Sequence, residues 1–472
     1  MEARGRKAKT MRFLSQYEQE GVMRMKNKVK IVYFLMAVVL VLGVLAGCSS
    51  NKKSQGESPA ASSPSKGSAA TTGKSDEKVT ITYWRHDNEA EVKALNQLIA
   101  SFQKEHPNVT VKMELIPYDD YETKIRTALA GGKAPDVMGI DGPFVASYAH
   151  QEAVIPLDDF FSINGDLDDI TAPVRESLTY NGKIWAAPLN DASVAMFYNK
   201  KLFTDNNIPL PSENPAEAWT WEQVLDAAKK INNPEKKIYG WDPAWGVGGG
   251  EGSAFVKMSL LWQAGAEVLS PDGKTAKGYL DSPETKRALT FFTDLYNDSK
   301  VAAKELPPEV FETGKLGIMM NGPWHLPYLE NSFPDFKDWA VAPLWKDKNQ
   351  VTPMGSWNLA ITKQSKHAQE AWEFVNWVTG KEGAKVWYEV TKNLPARLSV
   401  SEAFPELQEY PLNIWVKQSS TYAKPRPVSP AYPSISKAIT ELFEDVTLAK
   451  RDIDESMKAA VEKVDKAIAG IK

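Results

Sequence analysis

Val79-Thr80-Ile81-Thr82-Tyr83-Trp84 alternates, is rich in β-branched residues, and reads as a strand. The segments after it decide the fold. Residues 89–105 place Val92, Leu95, Leu98, Ile99 and Phe102 at helical spacing until His106-Pro107-Asn108 ends the run. Residues 109–116 form a second strand pattern, 121–129 a helix, and 136–140, beyond Pro135, a short buried strand. This β-α-β-α-β order predicts an α/β fold with a mostly parallel sheet flanked by helices on both faces. Ligands of such sheets sit at the carboxyl ends of the strands. Residues 84–87 and 141–143 are therefore expected at the edge of a site.

Further along, 184–188 and 194–198 are strand-like, with Asn190-Asp191 between them as a crossing point. Trp219-Thr220-Trp221-Glu222-Gln223 opens a helix with Thr220 as N-cap and Gln223 at the capping-box position, which assigns both tryptophans to packing. Residues 316–320 form a strand that runs into Asn321-Gly322-Pro323-Trp324, and 359–361 form another. Residues 368–379 are an amphipathic helix, and helices over 434–443 and 453–471 complete the pattern.

The 472 residues, 43% hydrophobic and 25% charged, have the composition of a globular protein with two or three units. Residues 1–47 carry nine Lys/Arg against three Asp/Glu, so the remainder has a net charge of about −10, which repels phosphate backbones and excludes nucleic acid as a partner. One cysteine excludes an intrachain disulfide and any multi-cysteine metal site. Met25-Lys26-Asn27-Lys28-Val29-Lys30 followed by the uncharged run 31–47 has the pattern of a secretory signal peptide. Residues 1–22 fit that pattern poorly, so translation is expected to start at Met23 or Met25. A single uncleaved membrane anchor is the competing reading of the apolar run. Residues 49–78 are Ser-, Gly-, Ala-, Lys-, Pro- and Thr-rich and read as a flexible tether.

Leu45-Ala46-Gly47-Cys48 resembles a bacterial lipobox. The resemblance implies that 1–47 is removed and that Cys48 is lipidated, anchoring the body to the membrane. The body, over 79–472, resembles the family-1 extracellular solute-binding proteins of ABC importers, of the maltose- and trehalose-binding type. The likeness is carried by Phe102-x-x-x-x-Pro107-x-Val109-x-Val111, Ala134-Pro135-Asp136-Val137, Gly182-Lys183-Ile184-Trp185-Ala186-Ala187-Pro188 and Phe197-Tyr198-Asn199-Lys200-Lys201-Leu202-Phe203. Phe311-Glu312-Thr313-Gly314-Lys315-Leu316-Gly317, Gly355-Ser356-Trp357-Asn358 and Asn393-Leu394-Pro395-Ala396-Arg397 continue it in order. The family implies a two-lobe periplasmic-binding-protein fold joined by a multi-crossover hinge. Its N-terminal lobe would be 79–190 plus 320–358 and its C-terminal lobe 191–319 plus 359–472. The family also implies an oligosaccharide ligand, two permease subunits and an ATPase as partners, and an extracytoplasmic location.

A sugar presents hydroxyls at its rim and C–H faces above and below, so its site needs acceptors, donors and flat aromatic surfaces. Trp84, Trp241, Trp245, Trp324 and Trp357 fall in loops or at strand ends, where an indole could stack on a pyranose or else pack into the core. Trp372, Trp377 and Trp387 lie on helices and read as packing. Carboxylates accept two hydroxyl hydrogen bonds at once. Asp87 lies on the first loop and Asp191 at the crossover, while Asp141 falls, by resemblance, where the family places a sugar-binding acid. Arg397 resembles a cleft contact of the family, against an ordinary ion pair, and Tyr432 is a weaker candidate. Gly355 is counted with them, although Ser356 replaces the second glycine common in the family.

Enzyme motifs are lacking: neither a phosphate-binding Gly-x-x-x-x-Gly-Lys-Ser/Thr nor Gly-x-Ser-x-Gly occurs. The five histidines form no i, i+4 pair, so neither a metal nor a cofactor is expected, and the histidines read as surface or packing residues. Asp119-Asp120, Asp158-Asp159 and Asp168-Asp169 read as solvated turns rather than as a glycosidase pair. Two functions compete: a tethered carbohydrate receptor for import and a tethered glycan hydrolase. A receptor for a non-sugar solute is the third.

Overall fold

The computed structural model describes residues 78–247 and 250–471. The signal segment, Cys48 and the tether lie outside the described residues. Among the described residues no helix is long and apolar enough to cross a membrane.

Two sheets organise the chain. The first runs β2 (Val109–Ile116), β1 (Val79–His86), β3 (Val137–Asp141), β12 (Trp357–Ile361), β6 (Ala187–Pro188). The second runs β10 (Trp339–Ala342), β7 (Ala195–Asn199), β9 (Leu316–Asn321), β8 (Tyr239–Asp242). Two small pairs complete them: antiparallel β4 (Thr179–Tyr180) with β5 (Lys183–Ile184), and parallel β11 (Thr352–Met354) with β13 (Ala423–Pro425).

Local chemistry produced the elements as expected. In β1, Ile81 and Tyr83 are buried while Thr80 is exposed. Every residue of β3 is buried, as in a strand covered on both faces. Helix Glu89–Glu105 starts where the Asn88 side chain accepts from the Glu91 backbone N–H at 3.2 Å, and it buries Ala94, Leu95, Leu98, Ile99 and Phe102. Thr220 and Gln223 make the reciprocal capping box of helix Trp221–Ile231. Trp221 is buried on Phe291, with ring centroids 4.6 Å apart, and its indole N–H donates to Gln263. Trp372 and Trp387 are also core residues.

Two expectations need correction. The sheets are mixed rather than mostly parallel: β1 is parallel to β2 and β3, but β12 runs antiparallel to both β3 and β6. In the second sheet β8 is parallel to β9, whereas β7 is antiparallel to both β9 and β10. A parallel neighbour requires a long crossover on the same sheet, and β12 instead enters the first sheet from the other lobe. The lobe boundaries differ too. Residues 320–356 carry the end of β9 and all of β10, which belong to the second sheet. The strand β12 and helices Ala368–Thr379 and Lys381–Thr391 belong with the first, the helices packing on Glu89–Glu105. An apolar strand pattern does not specify its sheet; the partner backbone does.

Three chain crossings link the lobes and touch one another. The Asp191 N–H donates to the Leu394 carbonyl at 2.8 Å, and the Gly355 N–H donates to the Ala192 carbonyl at 2.9 Å. The segments 189–194, 355–356 and 393–396 therefore form one hydrogen-bonded junction beneath the ends of both sheets.

Candidate functional site

The carboxyl ends of β1 and β3 bring His86, Asp87 and Asp141 to one edge of the first sheet. Antiparallel pairing sets Trp357, the first residue of β12, directly opposite Asp141. The second lobe contributes Trp245 after β8, Trp324 after β9, and Gly252 and Phe255 from helix Gly250–Ala264. The junction supplies Asn190, Ala192, Gly355, Ser356 and Asn393. These residues, with Asn88, Glu91, Tyr118 and Arg426, line a cavity of about 350 Å³. Two compartments adjoin it. One of about 860 Å³ shares Tyr118, Asp141 and Trp357, and one of about 570 Å³ shares Asn88 and Trp324.

The indoles are held by specific neighbours. A β-carbon on Gly322 would come within 2.0 Å of the Trp324 ring, so the glycine is what lets that ring fold back over the chain. Trp245 donates its indole N–H to the Met320 carbonyl at 2.8 Å, from a backbone with φ of 54°, a left-handed conformation rare for a bulky residue. Trp357 is flanked by the His86 ring, with centroids 4.1 Å apart, and by the Arg85 guanidinium at 4.2 Å.

One buried cation dominates the electrostatics. Arg426 is 4% exposed, and its guanidinium donates to both carboxylate oxygens of Asp141 at 2.6 and 2.7 Å. The same group also pairs with Glu251. Asp141 belongs to the first sheet and Glu251 to the second lobe, so Arg426 spans the cleft. Glu251 further accepts from the Tyr432 and Ser436 hydroxyls. Burial raises the pKa of Glu251, with Arg426 opposing. A β-carbon on Gly355 would approach the Arg426 guanidinium to 2.9 Å, so that glycine makes room for the arginine.

Of the expected site residues, Asp87, Asp141, Trp245, Trp324, Gly355 and Trp357 converge on the cavity. The others do not line it. Trp84 stands two residues short of the end of β1, under the Lys124 ammonium at 5.0 Å. Trp241 is fully buried, edge-on to Trp345, because β8 points it into the core. Arg397 is 2% exposed and binds Asp169 and the Asp166 carbonyl, both at 3.2 Å, fastening the 166–169 loop. Tyr432 is buried and acts on Glu251 from behind. Asp191 is buried at the junction, with its carboxylate accepting from the Ala192 N–H at 2.7 Å.

His86 fell within the 84–87 edge expected from sequence but was read, with the other histidines, as surface or packing, and Glu91, Tyr118, Asn190, Phe255, Asn393 and Arg426 were not among the expected site residues. The strand-end rule that selected Asp87 applied equally to His86. Arg426 had no local signal, since its partner Asp141 is 285 positions away.

Three comparisons bear on the chain. Residues 86–385 match the family model described as bacterial extracellular solute-binding protein. The chain is 26% identical over 406 residues to the maltotriose-binding protein of Pyrococcus abyssi, covering 83% of each, and 24% identical to the multiple sugar-binding protein of Streptococcus mutans, covering 76% of this chain and 81% of that one. Among solved structures, an ABC transporter solute-binding protein of Thermotoga lettingae bound with α-D-tagatose superposes with a TM-score of 0.75 at 27% identity, covering 82% of this chain and 99% of that one. The GacH receptor of Streptomyces glaucescens, solved unliganded and with acarbose, gives 0.73 at 26%, covering 83% and 99%.

Burial pushes the Asp191 carboxyl up to about 7, so its neutral form is the one the fold favours. That contribution is complete below the unfolded value near 4 and is lost as pH rises to 7. Asp191→Asn should therefore gain stability relative to wild type, by a few kcal/mol, as urea unfolding is repeated from pH 4 to pH 7. A pH-independent difference would show that Asp191 is solvated in the native state.

Proposed function

The chain belongs to the bacterial extracellular solute-binding protein family, and on that footing we propose that it captures a carbohydrate, an oligosaccharide foremost, between its lobes and delivers it to an ABC importer. The observation that carries the reading is the placement of Trp245 and Trp324 from one lobe and Trp357 from the other around a cavity whose remaining wall is acid- and amide-bearing. Indole faces suit the apolar faces of a pyranose, and the polar wall suits its hydroxyls. The adjoining compartments, each sharing lining residues with the central one, favour a ligand longer than a single ring. The relatives named for maltotriose and multiple sugars, and the neighbours bound with tagatose and acarbose, support the same class.

Asp87, Asp141, Trp245, Trp324, Gly355 and Trp357 are the proposed ligand contacts, with permease subunits and their ATPase as receiving partners. No enzymatic role is proposed. A hydrolase needs two carboxyls with separate duties, whereas Asp141 and Glu251 are bound by one guanidinium. The family's extracytoplasmic location fits the signal reading of residues 1–47, and we place the lipid anchor on Cys48.

The test is thermal unfolding with maltose, maltotriose, mannotriose, tagatose and mannitol. A sugar at 100 times its Kd should stabilise the protein by about 2.7 kcal/mol and be recovered with no new reducing ends; turnover would overturn the receptor reading. Trp324→Ala should remove most of that stabilisation, at about 2 kcal/mol of binding energy, with the ligand-free protein nearly unchanged. Trp241→Ala should instead cost the ligand-free protein about 3–5 kcal/mol. Equal loss in both ligand-free variants would return Trp324 to the core. For the anchor, the protein expressed in a bacterial host fed an alkyne-tagged fatty acid should take up the label, and Cys48→Ala should not; an unlabelled wild-type protein would refute it.

A further inference from the structure

Among the described residues, four side-chain atoms of residues lining the central cavity have no hydrogen-bond partner, and one of them, Arg426 Nε, is a donor. The other three are acceptors: His86 Nδ1, Asn190 Oδ1 and Asn393 Oδ1. Their residues are 3%, 1% and 2% exposed, so these atoms are shielded from bulk water by the fold itself. A buried polar atom without a partner is costly, and a ligand in this cavity could supply the partner that the three acceptors lack.

In each case the hydrogen-donating side of the group is already engaged. His86 Nε2 lies 3.1 Å from Glu91 Oε2. Asn393 Nδ2 donates to Glu91 Oε1 at 3.4 Å, and Asn190 Nδ2 donates to the Asp191 carbonyl at 3.1 Å. Burial opposes the charge on Glu91, but Arg85 and His86 beside it hold its pKa at about 2, so it is an ionised carboxylate that only accepts. An accepting Glu91 requires the hydrogen of a neutral His86 to sit on Nε2, which leaves a lone pair on Nδ1. The same reasoning orients both amides with their carbonyl oxygens away from their engaged NH2 groups.

We propose that His86 Nδ1, Asn190 Oδ1 and Asn393 Oδ1 form an acceptor set that takes hydroxyl hydrogens from the bound solute, with Glu91 as the positioning residue that orients two of the three. The set rests on the carbohydrate-receptor reading and sharpens it. The ligand must present free hydroxyls at these points, and a sugar whose hydroxyl is replaced by fluorine, an ether or a carboxylate there is rejected. A site built around a ligand's hydrogen donors discriminates against analogues lacking them far more strongly than an apolar pocket does.

Two measurements test this. Long-range ¹H–¹⁵N NMR of the ligand-free protein should show neutral His86 protonated on Nε2, and Glu91→Gln, which can donate, should shift the ring toward the Nδ1–H form. A wild-type ring protonated on Nδ1 overturns the proposal. Calorimetric titration with maltotriose or mannotriose and their monodeoxyfluoro derivatives should show a loss of about tenfold or more at the contacted positions. One of those losses should disappear in His86→Phe and another in Asn393→Ser. Wild-type protein that binds none of the sugars sinks the receptor reading itself. Protein that binds them but tolerates fluorine at every position sinks the acceptor set and leaves the receptor standing.

Discussion

A single guanidinium, that of Arg426, closes the gap between the edge of one sheet and the helix that faces it. Removing an arginine and two carboxylates from water is expensive, and such a cluster persists only when the geometry returns most of that cost. Here Asp141 takes both of its bonds in the bidentate form that suits arginine, and Glu251 is further satisfied by Tyr432 and Ser436. The cluster sets two carboxyl groups against one guanidinium, at the point where the central cavity opens into its larger neighbour. The wall is thus acceptor-rich although it contains a cation.

The rest of the site is arranged about that bridge. Gly355 is small because Arg426 passes beside it, Phe255 lies 4.8 Å beneath the guanidinium, and Trp357 stands opposite Asp141 in the sheet register. A second charged cluster, Arg85, Glu91 and His86, supports the other side of Trp357's surroundings. Phe255 and Trp357 thus pack against guanidinium groups that are themselves buried in ion pairs. The three crossing segments are joined by backbone hydrogen bonds, and the Asp191 carboxyl is buried within the first of them.

Much of this was legible before any coordinates. Alternation in residues 79–84, the helical spacing of Leu95, Leu98, Ile99 and Phe102, and the Thr220/Gln223 cap are written within a few positions of one another, and each formed as read. The strand-end rule also singled out Asp87 and Asp141, which line the cavity, because the carboxyl end of a parallel strand is a local property once the β-α-β order is known. The tryptophans divide the same way. Trp324 follows the end of β9, Trp357 opens β12, and both reach the cavity, whereas Trp241 looked equivalent in sequence and is core, since one step along a strand reverses the face a side chain presents.

What the chain specified by itself is its periodicity, its caps, and the family order of its motifs; those depend on neighbours along the backbone, and the physics acting there is short-ranged. Only the folded molecule decided which sheet received β9, β10 and β12, which carboxylates met Arg426, and that Arg397 would fasten a loop. Those outcomes depend on groups that lie hundreds of positions apart in the chain and within a hydrogen bond of each other in space, and their energies exist only once burial has removed the water that would otherwise separate them.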